Sequence, residues 1–419
     1  MRIREPSKAT AYNQATLKSR RYLHALNFFM ADMQAGMGPF LGVFLQGKGW
    51  QTGQIGQVMT LGGLAGMLFG APAGALVDAT RRKRECIVVS GLLTLLASGL
   101  LFLSQSYWVV VGSQMATAIV GAAIGPAVAG ITLGMFRQSG FTHQNGVNQA
   151  YNHAGNVVGA ALSGYLGWKY GFVAVFWLAA AFGALSVWSV LQIPEAEIDH
   201  QAARGLEGED LSDGQSLRQL WDNLPLRMLG LALAFFHLGN AAMLPLYGLS
   251  LVAAHQGDPA ALTAKTIVVA QLVMVAVSLV ATGVAEKRGY WLVLLVSFLA
   301  LPLRGLIAAL FIQHWGIYPV QILDGVGAGL QSVAVPGLVA RILAGTGRVN
   351  LGQGAVATIQ AIGGCLSPLL GYWVAEHLGY PTAFLSLGSL ALGSLFIWFY
   401  WAGLLRGAER ENGSAVPGS

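Results

Sequence analysis

Charged side chains are scarce in this sequence. Asp, Glu, Lys and Arg together make up 10% of its 419 residues, whereas soluble domains carry about 25%. Hydrophobic residues make up 55% of the chain, and 56 residues are glycine. Because so few charges cannot cover the surface of a soluble protein of this length, the composition predicts an integral membrane protein.

Cysteines and enzyme motifs are also nearly absent. Cys86 and Cys365 are the only cysteines and lie in different halves, so no disulfide framework and no metal site are expected. There is no H-E-x-x-H, no phosphate-binding loop and no G-x-G-x-x-G beside a strand. We therefore predict neither enzyme activity nor a cofactor. A membrane-embedded enzyme or sensor stays a remote alternative, because the longest polar stretch, 194–225, is short for a soluble domain.

Long apolar runs dominate what remains. A membrane-spanning helix needs about 20 apolar residues, and its backbone must bond internally. The sequence predicts twelve such helices, which we number span 1 to span 12: 22–46, 54–77, 86–104, 107–135, 144–167, 171–192, 227–253, 262–285, 290–311, 315–340, 351–375 and 381–405. The predicted fold class is an all-α integral membrane protein with twelve transmembrane helices.

The positive charges predict the orientation of these spans. With the N-terminus inside, the outer loops hold only Lys48, Lys169 and Lys265, and Arg304 lies within a span. The remaining Lys and Arg residues all fall on the inner side, as the positive-inside rule requires for cytoplasmic termini. The net charge of +6 therefore indicates orientation in a lipid bilayer rather than nucleic-acid binding.

A basic hinge between spans 2 and 3 carries the most specific motif. The segment GALVDATRRKR, residues 74–84, resembles the loop 2–3 signature of the major facilitator superfamily, G-x-L-x-D-(R)-x-G-R-K-x. Gly74, Leu76, Asp78, Arg82 and Lys83 stand at its positions. Arg81 replaces the second glycine of the family pattern. The resemblance implies two pseudo-symmetric six-helix bundles that open alternately to each side of the membrane.

The two halves of the chain also resemble each other. FFMADMQAGMGPF at 28–40 is similar to AFFHLGNAAMLPL at 234–246, and Glu286 stands in the second half where Asp78 stands in the first. We predict five regions: an N-terminal cytoplasmic tail (1–21), a first bundle (22–192), a cytoplasmic linker (193–226), a second bundle (227–405) and a C-terminal tail (406–419). The resemblance implies a cytoplasmic gate at the hinge, with these candidate residues: Gly74, Asp78, Arg82, Lys83, Arg137 and Glu286.

Ionisable residues inside spans are the candidates for proton coupling. A charge at the membrane centre costs at least about 2.5–3.5 kcal/mol, so it normally faces a cavity or a partner. Asp32 lies in span 1, and Arg304 and Asp324 lie at similar depth in spans 9 and 10. Arg304 and Asp324 are expected to pair, either structurally or to receive an anionic substrate group. The proton-coupling candidates are Asp32, Asp324, His237 and His153, with a plain hydrogen-bonding role as the alternative for each.

Span 5 carries an amide row at helical spacing. Such a polar stripe either lines an aqueous cavity or joins neighbouring helices, and we favour the cavity. The substrate-cavity candidates are Gln34, Asn148, Asn152, Asn156, Tyr151, Asn240, Arg304, Gln321 and Gln360. Seven prolines within spans are expected to kink them.

Taken together, these features predict a secondary active transporter of a small organic solute. Titratable groups at mid-membrane indicate proton coupling. A partial antiporter pattern in span 5, Gly155-x-x-x-Gly159-Ala160, favours efflux by antiport, and proton-coupled uptake of a small organic anion or polyol is the alternative. We expect a multi-pass monomer in a bacterial inner membrane whose only further partners are substrate, protons and lipid.

Overall fold

The computed structural model of the chain describes residues 8–35, 40–200, 203, 222–343 and 349–411. At residues 8–16 and 32–35, and at some further helical positions, it describes the backbone only. Helices account for nearly all of these residues, and no strand occurs within the described ranges. The predicted all-α class is confirmed.

Every predicted span is helical where the structure describes it. Within the described residues, spans 4, 7 and 12 each contain a break between two helices. The observed helices are Lys8–Ala35 and Phe40–Gly47 (span 1), Thr52–Ala79 (span 2), Lys83–Leu103 (span 3), Tyr107–Gly121 and Ile124–Tyr170 (spans 4 and 5), Phe172–Leu191 (span 6), Leu224–Asn240 and Met243–Ala253 (span 7), Pro259–Arg288 (span 8), Tyr290–Leu310 (span 9), Ile317–Ile342 (span 10), Val349–Leu378 (span 11), and Tyr380–Tyr400 and Ala402–Glu411 (span 12 and the residues after it).

Nine helices in the described part of the chain are long and apolar enough to cross a membrane by length and composition. They belong to spans 3, 4 and 6 to 12. Span 5 is helical but rich in amides. In span 1, the side chain of Asp32 lies outside the described residues.

Glycine makes three of the tight turns between successive spans possible. Gly171, Gly289 and Gly379 have φ values of 80°, 85° and 86° and precede spans 6, 9 and 12. A side chain at such a left-handed position would be strained, whereas glycine adopts it freely. An aromatic residue follows each glycine, so one turn type recurs along the chain.

Two prolines account for the breaks inside spans 4 and 7. Pro126 and Pro245 have no N–H to donate to the carbonyls of Ala122 and Ala241, four residues earlier. In both spans the helix is interrupted at the alanine, Ala122 in span 4 and Ala241 in span 7. Four other prolines lie inside uninterrupted helices: Pro72, Pro302, Pro336 and Pro368. The kink expected at each of them is therefore not accompanied by a break in the helix.

The predicted loop between spans 4 and 5 is helical instead. One helix runs continuously from Ile124 to Tyr170. No proline occurs between Pro126 and Pro194, and the single glycines in this stretch cost only about 1 kcal/mol each. The polar residues from 137 to 143 therefore do not end the helix, although polarity alone suggested a loop.

The chain divides into two compact units, which we describe separately. Unit 1 contains residues 1–38, 68–166 and 170–210, and unit 2 contains residues 39–67, 167–169 and 211–419. The helix of span 2 therefore begins in unit 2 and ends in unit 1. The predicted bundles, 22–192 and 227–405, remain a prediction.

Unit 1 has a continuous apolar core beside the basic hinge. It is formed by spans 1 to 4 and 6 together with the first residues of the linker. Its buried members include Leu23, Leu26, Val77, Ile87, Ile131, Val190, Ile193 and Ile198. The start of the linker is thus part of the packed unit rather than a free connection.

Candidate functional site

A buried charge pair lies at the centre of a polar cluster in unit 2. Arg304 Nη1 donates to Asp324 Oδ1 and to Asn240 Oδ1, each at 2.7 Å. The second terminal nitrogen is 3.4 Å from Gln321 Oε1. These four residues come from spans 7, 9 and 10, and the expected pairing of Arg304 with Asp324 is observed.

The pair is unevenly exposed. The Arg304 side chain is 1% exposed, whereas the Asp324 side chain is 12% exposed. Arg304 Nε and Gln321 Nε2 are buried and have no hydrogen-bond partner within the described residues. The carboxylate is therefore the accessible edge of the cluster, and the guanidinium behind it retains an unused donor.

A second polar group in unit 2 joins spans 7 and 11. Gln360 Nε2 lies 3.2 Å from His237 Nε2. Since an amide nitrogen can only donate, this contact requires His237 Nε2 to accept and its ring proton to be on Nδ1. Nearby in unit 2, buried Gln331 donates to the Ser297 hydroxyl at 3.0 Å, and this hydroxyl donates to the Gly327 carbonyl oxygen.

In unit 1, the inner part of the amide row is buried between helices. Gln144 and Asn148 are both 2% exposed. Gln144 Nε2 lies 2.9 Å from Asn148 Oδ1 and 2.9 Å from His24 Nε2, and Asn148 Nδ2 donates to Thr132 Oγ1 at 3.0 Å. Asn148 thus joins span 5 to span 4 and does not line an open cavity within this unit.

The outer part of the row is half-buried. Asn152 Nδ2 donates to the Asn27 carbonyl oxygen at 3.3 Å, and Asn156 Nδ2 donates to Asn152 Oδ1 at 3.2 Å. Tyr151 is 41% exposed and stacks on His24, with 4.4 Å between ring centroids. Asn152, Asn156 and Tyr151 remain candidates for substrate contact, in contrast to Asn148.

This difference within the row gives a prediction. Asn148→Ala removes the buried bonds that Asn148 makes with Thr132 and Gln144, and we expect a loss of about 1–3 kcal/mol in the free energy of unfolding. Asn156→Ala removes one partly exposed bond and is expected to change stability less while reducing transport. Thermal unfolding of both purified variants tests this; a larger stability loss for Asn156→Ala would contradict it.

Several candidates have side chains that lie outside the described residues. Their backbones are helical, but the structure does not test their predicted contacts. They are Asp32, Gln34, Asp78, Arg137 and Glu286. His153 is described and is half-buried in span 5.

Lys83 of the hinge motif is buried inside unit 1. Its side chain is 1% exposed, and Nζ donates to the carbonyl oxygens of Val77 and Thr80 at 2.8 and 3.2 Å. The stem lies against span 4, where a Cβ at Gly130 would stand 3.0 Å from Lys83 Cδ. Lys83 therefore caps the C-terminus of span 2, where unpaired carbonyls attract a cation.

The neighbouring hinge residues differ from Lys83. Arg82 is exposed. Arg84, which was not among the candidates, donates to the Ile193 carbonyl oxygen at 2.6 Å and to Glu195 Oε1 at 2.8 Å. Asp199 N donates to the Gly134 carbonyl oxygen at 3.0 Å. The basic hinge thus holds the start of the linker against unit 1.

The sequence did not lead us to select five residues of these clusters as candidates: His24, Asn27, Thr132, Gln331 and Arg84. Polar residues on different spans cannot be grouped into a cluster from sequence, because a hydroxyl or amide bonded to a neighbouring helix looks the same in sequence as an exposed one. The arginine next to Lys83 was likewise indistinguishable from an ordinary loop cation.

Comparison with known proteins is consistent with this architecture. Residues 23–323 match the sequence profile of the Major Facilitator Superfamily. An uncharacterized MFS-type transporter of Mycobacterium tuberculosis is 38% identical over 375 residues, in both strains compared, covering 88% of this chain and 90% of the relative. The chain belongs to the Major Facilitator Superfamily. The predicted membership and the all-α membrane fold of this superfamily are confirmed, and the chain is a multi-pass membrane transporter of the MFS type.

Solved structures share the fold of this MFS chain at low sequence identity. A mutant form of the nucleoside transporter NupG superposes with a TM-score of 0.78 at 12% identity, covering 91% of this chain and 99% of that one. A POT family transporter in complex with 5-aminolevulinic acid gives a TM-score of 0.71 at 14% identity, covering 93% and 96%. At such identities the likeness establishes the fold alone.

Proposed function

We propose that this MFS transporter exports a small organic solute by proton antiport, with Asp324 as the proton-binding group. The observation that carries the proposal is the Arg304–Asp324 pair at 2.7 Å. An ion pair of this kind, in spans that are otherwise apolar, is costly to bury. Such pairs in membranes typically mark ion or substrate pathways.

The charge balance of the cluster supports coupling to a proton. With Asp324 ionised, its charge cancels that of Arg304. Protonation of Asp324 leaves an almost fully buried guanidinium without a counter-ion, which is unfavourable. Release of the proton therefore restores the ion pair. For the cycle to continue, another ligand must compete with the proton for the Asp324 carboxylate.

The unequal exposure of the pair supports antiport. A solute that reaches the cluster meets the 12% exposed Asp324 side chain before the 1% exposed Arg304. A cationic or hydrogen-bond-donating solute then competes with the proton for one carboxylate. Mutually exclusive binding of solute and proton at one group is the requirement for antiport.

The second candidate is proton-coupled uptake of a small organic anion or polyol. The observation in its favour is that Arg304 Nε and Gln321 Nε2 have no partner in the described part of the chain. These donors can bind an anionic or hydroxylated solute, and a proton on Asp324 would free the charge of the Arg304 guanidinium for that solute. In that case solute and proton bind together rather than in competition.

The remaining features of the proposal follow from charge distribution and family resemblance. The positive-inside bias supports cytoplasmic termini, and the bacterial relative supports a bacterial inner membrane. The hinge resemblance supports a cytoplasmic gate that includes Asp78. We further propose that the chain acts as a monomer.

A thermal-shift screen at two pH values distinguishes the two candidates. The panel contains small organic cations, organic anions, polyols and, because of the fold shared with NupG, nucleosides. Antiport predicts that a stabilising compound binds more tightly at pH 7.5 than at pH 5.5, because protons compete with it. Symport predicts the reverse.

The matched variants in this screen are Asp324→Asn and Asp258→Asn. Asp258 caps span 8 through Ala261 N at 2.9 Å and lies outside the cluster. We expect the pH dependence of binding to disappear in Asp324→Asn and to persist in Asp258→Asn. Unchanged pH dependence in Asp324→Asn would remove Asp324 from the coupling mechanism.

A further inference from the structure

The loop between spans 9 and 10 is bonded to span 8 through two ionisable side chains that the proposed function does not use. Lys265 Nζ lies 2.6 Å from His314 Nε2. Lys265 is in the second turn of the span 8 helix, and His314 begins a short 3-10 helix, His314–Gly316. Since an ammonium group can only donate, His314 Nε2 must accept. His314 is therefore neutral in this arrangement, and its ring proton is on Nδ1.

A second bond joins the same residue to the loop between spans 7 and 8, residues 254–258. His314 N donates to Gln256 Oε1 at 3.3 Å. The backbone of His314 is thus bonded to one neighbouring element and its side chain to another. Both elements belong to unit 2, so the contact lies within one compact unit.

The two ends of the 9–10 loop are fixed more firmly than its middle. The Tyr247 hydroxyl of span 7 donates to the Phe311 carbonyl oxygen at 2.5 Å. A Cβ at Gly316 would overlap both of these atoms, and Gly316 is buried, whereas residues 313–315 are exposed. The part of the loop that can leave span 8 without disturbing the packed residues is therefore 313–315.

Protonation of His314 is incompatible with this contact. A histidine changes its charge between about pH 5 and 8, and the protonated ring has no acceptor to offer Lys265. Two cations would then stand 2.6 Å apart, and their repulsion would separate them. The bond between the loop and span 8 is therefore present only while His314 is neutral.

The other titratable groups around the loop do not offset this repulsion. His255 and Asp258 lie in the 7–8 loop, and the Tyr318 ring of span 10 has its centre 5.9 Å from Lys265 Nζ. Asp258 caps span 8 through Ala261 N. In the part of the chain that the structure describes, neither Lys265 nor His314 forms an ion pair with a carboxylate.

This loop connects the two spans that carry the buried pair. Arg304 lies seven residues before Phe311 in span 9, and Asp324 lies seven residues after Ile317 in span 10, about two helical turns in each case. The predicted orientation places the loop on the outer side of the membrane. A change of the loop is therefore transmitted directly to the helices that hold Arg304 and Asp324.

We propose that Lys265 and His314 form an outer pH switch, which bonds the 9–10 loop to span 8 at neutral outer pH and releases residues 313–315 when the outer medium is acidic. This inference rests on the proposed function for its link to transport. A proton-driven exporter needs protons on its outer side, and the switch would release spans 9 and 10 from span 8 when those protons are abundant.

A spin label in the loop tests the switch without any transported solute. Gln313→Cys is made in a Cys86→Ser, Cys365→Ser background, labelled with a nitroxide and reconstituted in lipid nanodiscs. Its mobility is measured by electron paramagnetic resonance between pH 8.0 and pH 5.0. We expect the mobile fraction to rise about threefold as the pH falls, with a midpoint between pH 5 and 8. Equal mobility at both ends of this range would overturn the proposal.

Three variants of the labelled protein identify the groups responsible. His314→Gln keeps an acceptor for Lys265 but cannot titrate, so the label is expected to stay immobile at every pH. Lys265→Met removes the donor, so the label is expected to be mobile at every pH. His255→Gln is the matched control and should keep the original response. A pH response that persists in His314→Gln or Lys265→Met, or that is lost in His255→Gln, would contradict the switch.

The switch and the proposed function can fail separately. A loop that responds to pH in a protein whose Asp324→Asn variant keeps pH-dependent solute binding would refute the role of Asp324 and leave the switch in place. A loop that does not respond, in a protein whose Asp324→Asn variant loses pH-dependent binding, would refute the switch alone.

Discussion

Replacing Arg304 by glutamine is expected to destabilise this protein severely. Asp324 would keep its charge in a site from which the counter-ion has been removed, and breaking a buried pair in this way costs about 3–5 kcal/mol. The Arg304 side chain is 1% exposed and makes bonds of 2.7 Å to both Asp324 and Asn240, so little water is available to compensate. Thermal unfolding of the purified protein measures the loss.

The double variant Arg304→Gln, Asp324→Asn is the decisive comparison. It removes both charges and keeps the volumes, so we expect it to recover at least half of the lost stability, as strongly coupled residues do in a double-mutant cycle. Asn240→Ala, which removes a neutral acceptor, serves as the control with a loss of about 1–3 kcal/mol. A double variant less stable than either single variant would show that the pair does not act as a unit.

The second large effect is expected at Lys83. Lys83→Met keeps the apolar stem against Gly130 but removes the charged donor from the Val77 and Thr80 carbonyls. Hydrogen bonds to charged groups contribute about 1.5–3 kcal/mol each, so we expect a loss of roughly 3 kcal/mol.

Arg82→Met is the matched control for Lys83. Arg82 is adjacent in the motif and carries the same charge, but its side chain is exposed. Its replacement is expected to alter the free energy of unfolding by less than about 0.5 kcal/mol. Equal losses for the two variants would mean that Lys83 acts through general loop charge instead of capping span 2.

The helical character of the spans could be predicted because a membrane leaves the backbone no other way to satisfy its polar groups. The positions at which helices break were less predictable from the sequence. Pro126 and Pro245 lie at interruptions, whereas Pro302 and Pro368 lie within continuous helices. Whether neighbouring atoms accommodate a proline depends on tertiary packing, which local sequence does not specify.

The polar residues show the same limit. The pairing of Arg304 with Asp324 was expected, because two opposite charges at similar depth have little alternative in lipid. The partner of Asn148 was not, because an amide row facing water and one facing span 4 have the same helical spacing. Only the bond from Asn148 to Thr132 and the 2% exposure of Asn148 show that this residue faces span 4 and not water.

Lys83 was recognised as a residue of the hinge motif and a gate candidate, and Arg84 only as a member of the basic loop. Their different partners arise from contacts distant in sequence: Gly130 in span 4 for Lys83, and Ile193 and Glu195 in the linker for Arg84. A positive-inside loop needs charge but no particular partner, so the motif indicated the position of these side chains and not their function.

Proton-driven transport in proteoliposomes tests the central claim most directly. The compound selected by the thermal-shift screen is supplied with an imposed pH gradient and without ATP, to wild-type protein and to Asp324→Asn. We predict that wild-type protein moves the compound against its gradient, and that Asp324→Asn exchanges it across the membrane without accumulating it. Accumulation by Asp324→Asn at the wild-type level would contradict the account.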